Sequence, residues 1–148
     1  MNSEDPLKGA SAFTIELWLA TQGDGRLLGN HDGTNGYLLD IKDGNPRLTI
    51  NAVAASATTS LAIGAWTHVA AVWGGSSVTV YVNGQVAGSR SGVAAPATSS
   101  AGFLIGAGSN GALAGAAAML DEITLHGRAL NQGEIKAIAA VGAGGRCK

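Results

Sequence analysis

The stretch Trp66–Gln85, WTHVAAVWGGSSVTVYVNGQ, decides the fold class. Its first part, Trp66–Trp73, is apolar at nearly every position, as expected of a strand. After a turn at Gly74-Gly75, the valines at positions 78, 80 and 82 alternate with other residues, which predicts a second strand. Asn83-Gly84 is the strongest short hairpin signal, because both central positions of a type I′ turn need positive φ. The stretch therefore predicts successive antiparallel strands.

Short apolar segments separated by turns continue on both sides of this stretch. Phe13–Leu19 alternates, with its odd-numbered residues on one face and Thr14, Glu16 and Trp18 on the other. Further strands are predicted at Arg26–Leu28, Tyr37–Ile41, Arg47–Ile50, Gln85–Ser89, Phe103–Ile105 and Met119–Leu125. Asn131 and Glu134 match a helix capping box, and Gly142 is the predicted helix end. The sequence thus predicts an all-β sandwich with a short C-terminal helix.

Composition narrows the class and the partners. The 148 residues suit one domain, residues 1–148, and 13% charged with 46% hydrophobic residues argues against disorder. The net charge is −1 without a Lys/Arg cluster, so no nucleic-acid partner is expected. No apolar run approaches the roughly 18 residues of a membrane span. The opening residues MNSEDPLKG show no signal peptide, and the lone Cys147 cannot form an intrachain disulfide.

The order of the segments carries a family resemblance. FTIELW, GYLLDI, WTHVAAVW, VTVYVNGQ, FLIGA and LDEITLHGRALNQGEI follow one another over residues 12–141. This order resembles the laminin G-like, concanavalin A-like lectin–glucanase superfamily, and in particular its bacterial LamG-like branch. The resemblance implies an antiparallel two-sheet jelly-roll sandwich. It also implies a secreted or cell-surface location within a larger bacterial protein.

One departure from the family concerns the first strand. Members usually open with a further strand before the segment FTIELW, and that strand often carries acidic residues. Only MNSEDPLKGASA precedes the segment here, so the strand either lies outside the chain or is missing. A missing strand would expose a sheet edge that could pair with another copy.

The carboxylates Asp121 and Glu122 are adjacent. Neighbouring residues on a strand face opposite sides of the sheet, so they cannot form the facing pair that a glycosidase needs. Related domains often bind calcium through an acidic side chain and loop carbonyls, a ligand set that suits this ion. The resemblance therefore makes Asp121 a candidate calcium ligand. The alternative is a structural carboxylate satisfied by backbone N–H groups.

Alternation suggests a second candidate face. Glu16 and Trp18 share one face of their strand, and Glu122 shares a face with His126. The two strands are expected near each other in this fold, so Glu16, Glu122 and His126 could form one polar groove. The alternative is a hydrogen-bonded ladder beneath covering loops. His68 is expected to be a structural histidine with its hydrogen bonds satisfied.

A loop offers the first candidate ligand site. Sugar binding normally uses an aromatic platform beside convergent polar groups. The resemblance places most large aromatics at strand positions that the family fills with core residues: Phe13, Trp18, Trp66, Tyr81 and Phe103. The loop Asn30–Tyr37 concentrates polar side chains next to an aromatic residue. The predicted ligand-binding residues are therefore His31, Asp32, Asn35, Tyr37 and Trp73. The alternative is an ordinary polar hairpin loop.

These features predict a binding module that is not an enzyme. Gly106–Gly111 matches G-x-G-x-x-G, but no helix follows it, and the histidines lack zinc spacing. The leading hypothesis is an extracellular carbohydrate-binding or adhesion module, with calcium as a candidate cofactor and a glycan or cell-surface protein as partner. The alternative is a protein-interaction or self-assembly module, which would form homo-oligomers. A third reading is a small glycoside hydrolase or lyase on the same fold.

Overall fold

The computed structural model describes residues 5–105 and 118–145, with side chains up to residue 141. The predicted motif Gly106–Gly111 and Cys147 lie outside the described residues. The described elements are β1 (Phe13–Thr21), β2 (Gly25–Gly29), β3 (Tyr37–Lys42), β4 (Asn45–Ile50), β5 (Val53–Ser56), β6 (Thr67–Trp73), β7 (Ser77–Val82), β8 (Gln85–Ser91), β9 (Leu104–Ile105), β10 (Ala118–His126) and α1 (Gln132–Gly145).

The strands form two antiparallel sheets of five strands each. The first sheet has the order β10-β1-β6-β7-β8, and the second has the order β5-β4-β3-β2-β9. One hydrophobic core contains buried side chains from both sheets, which places the sheets face to face. The predicted all-β jelly-roll sandwich with a short C-terminal helix is confirmed.

The core follows the alternation seen in the sequence. Ile15, Leu17 and Leu19 of β1 are fully buried, and Leu39 and Leu48 of the second sheet are fully buried too. Burying a large aliphatic side chain contributes about 1.5–3 kcal/mol, so this layer supplies much of the driving force for folding. The packed core between the sheets therefore forms a rigid frame, and the loops at the ends of the strands can form a binding site.

Hairpin chemistry sets two of the turns. Asn83 and Gly84 have φ values of 50° and 81°, and Asp43 and Gly44 have φ values of 53° and 81°. These are the two positive values that a type I′ turn requires. The second turn is shorter than predicted, since β4 begins at Asn45 directly after it.

Two other boundaries differ from the sequence prediction. Strand β5 was not predicted, because its short segment has no clear alternation; Asn51, with φ 54°, turns the chain into it. The helix continues past Gly142 to Gly145. Its start is as predicted: Asn131 Oδ1 accepts from the Glu134 N–H at 2.9 Å, and Glu134 Oε1 accepts from the Asn131 N–H at 3.1 Å.

Helix α1 covers the outer face of the first sheet. Ile135 of the helix and the preceding Leu130 are buried in a cluster with Ala70, Val72 and Tyr81. Tyr81 therefore packs beneath the helix, outside the core between the sheets. The described residues contain no helix long and apolar enough to cross a membrane.

The segment before β1 belongs to the sandwich although it forms turns. Leu7 is only 6% exposed and lies in the main core. Within the part of the chain that the structure describes, no strand precedes β1. This segment instead covers one end of the sandwich, where it meets the loop Asn30–Tyr37.

Candidate functional site

A cavity of about 900 Å³ opens at this end of the sandwich. Three segments far apart in sequence line it: Asp5–Ala10, part of the loop Asn30–Tyr37, and Ala95–Phe103. The lining carries a carboxylate, an ammonium group, an amide and several hydroxyl groups, together with aromatic rings. This combination of a concave shape and varied polar groups is typical of a site for a small polar ligand.

Asp5 is the centre of the hydrogen bonds in the cavity wall. Its carboxylate accepts from the Tyr37 hydroxyl at 2.6 Å, from the Leu7 N–H at 2.9 Å and from Asn30 Nδ2 at 3.2 Å. Burial raises the pKa of Tyr37, and the bond to Asp5 raises it further, so this phenol stays a donor. The network fixes the first segment against the second.

Asn30 joins the second segment to the third. Its Oδ1 accepts from the Tyr37 N–H at 3.0 Å, and its main-chain carbonyl accepts from the Ser99 hydroxyl. Gly36 must lack a side chain, because a Cβ there would lie 2.5 Å from Asn30 Oδ1 and its φ is 97°. The cavity wall is therefore pre-formed by contacts between distant segments.

Asp32 holds the loop to the third segment. It accepts from the backbone N–H groups of Ser100 at 2.8 Å, Asn35 at 2.8 Å and Thr34 at 3.0 Å. These bonds, led by that of Ser100, hold the pKa of Asp32 well below its usual range. The ionised Asp32 carboxylate thus holds the two segments together at the rim of the cavity.

His31 is buried and fully engaged with the main chain. Its Nδ1 accepts from the Gly33 N–H at 3.1 Å, and its Nε2 lies 2.6 Å from the Asn51 carbonyl oxygen. Since Nδ1 accepts, the neutral ring carries its proton on Nε2 and donates to Asn51. His31 therefore shapes the loop from within.

The predicted aromatic platforms are wrong. Tyr37 is 1% exposed and Trp73 is 2% exposed, and both rings lie about 5.5 Å from Phe13 in the core. The Trp73 indole N–H donates to the Val93 carbonyl at 3.0 Å. Neither ring offers a face to a sugar. Phe103, which was expected in the core, is partly buried: it packs against the core, and its exposed part lines the cavity beside Tyr37.

The second candidate face is a buried cluster. Glu16 is 2% exposed and lies 2.9 Å from Nε2 of His68 and 3.4 Å from Nε2 of His126. Burial raises the pKa of Glu16, but bonds and charge from His68, with bonds from His126 and Thr124, outweigh it and lower the pKa overall. His68 Nδ1 has no hydrogen-bond partner among the described residues, so the expected full satisfaction of His68 is wrong.

A bulge in β10 interrupts the alternation of this strand. Glu16 pairs with Thr124, whereas Trp18 pairs with Asp121, so β10 holds one extra residue between these pairs. Glu122 lies there with φ 52°. Alternation is therefore broken at Glu122, and its place beside Glu16 stays a prediction. The register pairs Asp121 with Trp18, which shares a face of β1 with Glu16.

No cation site is evident in the described ranges. There, no three His, Cys, Asp or Glu side chains form a group that could hold a metal ion. Asp121 is partly buried at the bulge. Calcium also uses carbonyl ligands, so the assignment of Asp121 as a calcium ligand stays a prediction.

The family follows from the fold and from the sequence together. The model of the concanavalin A-like lectin/glucanase superfamily matches residues 1–136. The chain belongs to this superfamily. The match begins at residue 1, so it includes the segment before β1 that the sequence resemblance left out. No curated protein sequence matches the chain.

Solved structures share the fold. A heptameric SAP-like pentraxin from Limulus polyphemus matches with a TM-score of 0.68 and 19% identity over 88% of this chain and 70% of that chain. A candidate carbohydrate-binding protein from Bacteroides ovatus has a TM-score of 0.72 and 19% identity over 91% and 43%. A mutant sialidase of Trypanosoma rangeli with trans-sialidase activity has a TM-score of 0.67 and 26% identity over 89% and 23%. The chain thus spans less than half of the last two proteins.

Several cavity residues could not be predicted from the sequence. Asp5 gave no signal, because the contacts that give it a role come from residues 25 and 32 positions away. Phe103 was expected in the core because the family fills this strand position with a core residue. Ser99 and Ser100 lie in a segment of small residues without periodicity. Only the loop Asn30–Tyr37 was found, through its concentration of polar side chains.

Proposed function

We propose that the protein is a non-catalytic, extracellular carbohydrate-binding module whose site is the cavity at the end of the sandwich. One observation carries the proposal: the cavity of about 900 Å³ combines fixed polar groups with a partly exposed aromatic ring, Phe103. Sugars present both hydroxyl groups and apolar C–H faces. A site with both kinds of surface therefore suits them.

The lining offers complementary partners for sugar hydroxyls. Lys8 is exposed and donates only, whereas the hydroxyl of Thr98 both donates and accepts. The rim is held by Asp32 and Asn30, so these groups are positioned before a ligand arrives. Pre-formed sites lose less conformational entropy on binding.

The relatives support this proposal at the level of the fold. The superfamily is named for lectins and glucanases, and one structural relative is a candidate carbohydrate-binding protein. Another relative is a sialidase, so the fold also occurs within enzymes. Our proposal that this chain is not an enzyme rests on its own residues: Glu16 and His68 are at most 2% exposed, and among the described residues the cavity lining carries one carboxylate, Asp5, which already accepts three hydrogen bonds.

A glycan array followed by calorimetry tests the proposal. We expect the wild-type protein to bind at least one glycan class, and Phe103→Ala and Thr98→Ala to weaken that binding. Lys42→Gln, an exposed lysine on β3 outside the cavity lining, is the control and should bind normally. Absence of any glycan bound at high protein concentration would contradict the proposal, and so would turnover of a polysaccharide.

Calcium support is a separate proposal. Asp121 is the candidate ligand, together with main-chain carbonyls, because an ionised carboxylate and carbonyl oxygens suit calcium. A ligand that binds only the folded state raises the melting temperature. We therefore expect calcium to raise the melting temperature relative to chelator, and Asp121→Asn to abolish the rise. If the melting temperature of the wild type were the same in calcium and in chelator, the proposed calcium site would be contradicted.

Self-assembly is the second candidate function. Among the described strands, β10 is an edge strand of nine residues in the first sheet, and Met119 on it is 59% exposed. Edge strands with apolar side chains can pair with a second copy. Sedimentation velocity would show a concentration-dependent oligomer that Met119→Lys disrupts. A strict monomer over the full concentration range would exclude this candidate.

A further inference from the structure

A second recess lies on the outer face of the first sheet, far in sequence from the cavity segments. Its volume is about 490 Å³, and its lining consists of Trp18, Trp66, Asn83, Gln85, Lys136, Ala139 and Ala140. We refer to it as the Trp66 groove. Strands β1 and β8, the β7–β8 turn and helix α1 each contribute to its walls.

Trp66 gives the groove an aromatic surface. It was expected in the core, but β6 begins only at Thr67, and Trp66 is partly exposed. Trp18 is 5% exposed and packs edge-on against His68, with ring centroids 5.4 Å apart. Trp18 therefore serves as a buried floor, and Trp66 is the indole that a ligand can contact.

The polar groups of the groove point to a ligand with hydroxyls. Asn83 Oδ1 accepts from the His68 N–H at 3.0 Å, which orients the side chain and leaves its Nδ2 group as donor. Gln85 is exposed and adds a second amide, with both donor and acceptor atoms. Paired amides beside an indole match the alternating polar and apolar edges of a sugar ring.

Lys136 gives the groove its charge. It is the single charged side chain in the lining, it is exposed, and it forms no ion pair with any described residue. Gly84 lets the helix approach this closely, because a Cβ there would lie 3.1 Å from Cα and Cγ of Lys136. Small residues, Ala139 and Ala140, leave the space beside the ammonium group open.

We propose that the Trp66 groove binds an acidic saccharide, a sugar ring that carries a carboxylate. The carboxylate pairs with the Lys136 ammonium group, the ring face packs on Trp66, and the hydroxyls bond to the amides of Asn83 and Gln85. An acidic peptide could use the same charge, so binding of a peptide in place of a saccharide is an outcome of the test below. This site does not depend on the cavity proposed above.

The test uses three uronate or sialate probes and a neutral partner for one of them. Binding is measured by calorimetric titration and by tryptophan fluorescence. The acidic probes are oligogalacturonate, a hyaluronan oligosaccharide and sialyllactose, and methyl-esterified oligogalacturonate is the neutral probe. We expect at least one acidic probe to bind and to change the emission of Trp66, since Trp18 and Trp73 are at most 5% exposed. The methyl ester should bind at least about tenfold more weakly, because a charge-assisted hydrogen bond is lost.

Variants separate the groove from the cavity. Lys136→Gln should weaken acidic-probe binding by about tenfold or more, and Trp66→Ala should weaken it while the domain still melts cooperatively. Lys42→Gln removes the same charge elsewhere, so it should bind the acidic probe normally. Polyglutamate is titrated as the peptide probe. The proposal is overturned if no acidic saccharide binds, if the ester binds equally, if Lys136→Gln changes nothing, or if polyglutamate binds and no saccharide does.

Discussion

Glu16 shows how one residue's environment sets its charge. Its carboxylate is almost fully buried between two histidines, and their bonds lower its pKa despite burial. A carboxyl whose pKa is lower in the folded than in the unfolded state contributes stability above the unfolded pKa, about 4.3 for glutamate. That stability is lost as the pH falls through the folded pKa.

The expected result is therefore a pH-dependent effect of Glu16→Gln. At pH 7 the substitution should lower the free energy of unfolding by about 1.5–3 kcal/mol, the contribution of hydrogen bonds to a charged group. The difference between wild type and variant should shrink below pH of about 4.3. Urea titrations from pH 3 to 7 measure it, and a difference that stays constant with pH would refute this role for Glu16.

The two groove tryptophans should respond differently to truncation. Trp18 is 5% exposed, so Trp18→Ala should cost about 3–5 kcal/mol, enough to unfold a marginal domain. The sequence places Trp66 in the same class, but it is partly exposed, so Trp66→Ala should cost clearly less. Denaturant midpoints compare the two, and equal losses would show that Trp66 is a core residue after all.

At the scale of elements, the sequence predicted the features that depend only on contacts between residues close together in the chain. The hairpin at Asn83-Gly84 and the capping box of α1 involve residues at most three positions apart, and both formed as expected. The bulge of β10 could not be foreseen, because it appears only in the pairing with β1. That pairing places Asp121 opposite Trp18 and breaks the alternation at Glu122.

Helix capping gives a direct test at this scale. Asn131→Ala removes the acceptor for the Glu134 N–H and should lower the free energy of unfolding by about 1 kcal/mol. Asn131→Ser retains a capping oxygen and should change it little. Thermal melts of wild type and both variants measure the effect. If Asn131→Ala melted at the same temperature as wild type and Asn131→Ser, the cap would add nothing to stability.

At the scale of the molecule, the two sheets approach closely at one edge. A Cβ on Gly88 of β8 would lie 2.2 Å from the Ser56 carbonyl oxygen of β5, and the Thr58 N–H donates to the Ala87 carbonyl at 2.8 Å. These contacts close the sandwich between β5 and β8. The Ser56 backbone of the second sheet therefore leaves no room for a side chain at position 88.

Gly88→Ala should consequently destabilise the protein, since overpacking typically costs about 1–3 kcal/mol. Gly127→Ala is the matched control, because a Cβ there meets nothing within 4 Å. Denaturant unfolding of the pair gives the comparison. If both alanine variants were equally stable, the close approach of the sheets would be disproved.

The sequence determined the fold far better than the site. Apolar alternation and turn residues recur along the whole chain, so the sandwich was predictable from many independent signals. The cavity is built from three segments whose contacts span up to 69 positions, as between Asn30 and Ser99. The exposure of the aromatic side chains could not be predicted from the sequence either. Tyr37 and Trp73 lie beside loops yet are buried, whereas Phe103 and Trp66 are partly exposed.

The central claim is that the cavity at the end of the sandwich binds carbohydrate. The most direct measurement is calorimetric titration of wild type and Phe103→Ala with the best glycan from an array, with Lys42→Gln as control. We expect saturable binding by wild type and control. Binding by Phe103→Ala should be about tenfold or more weaker, since losing about 1.4 kcal/mol of contact with the ring changes the affinity tenfold. Identical affinities for all three proteins would place the glycan elsewhere and contradict the claim.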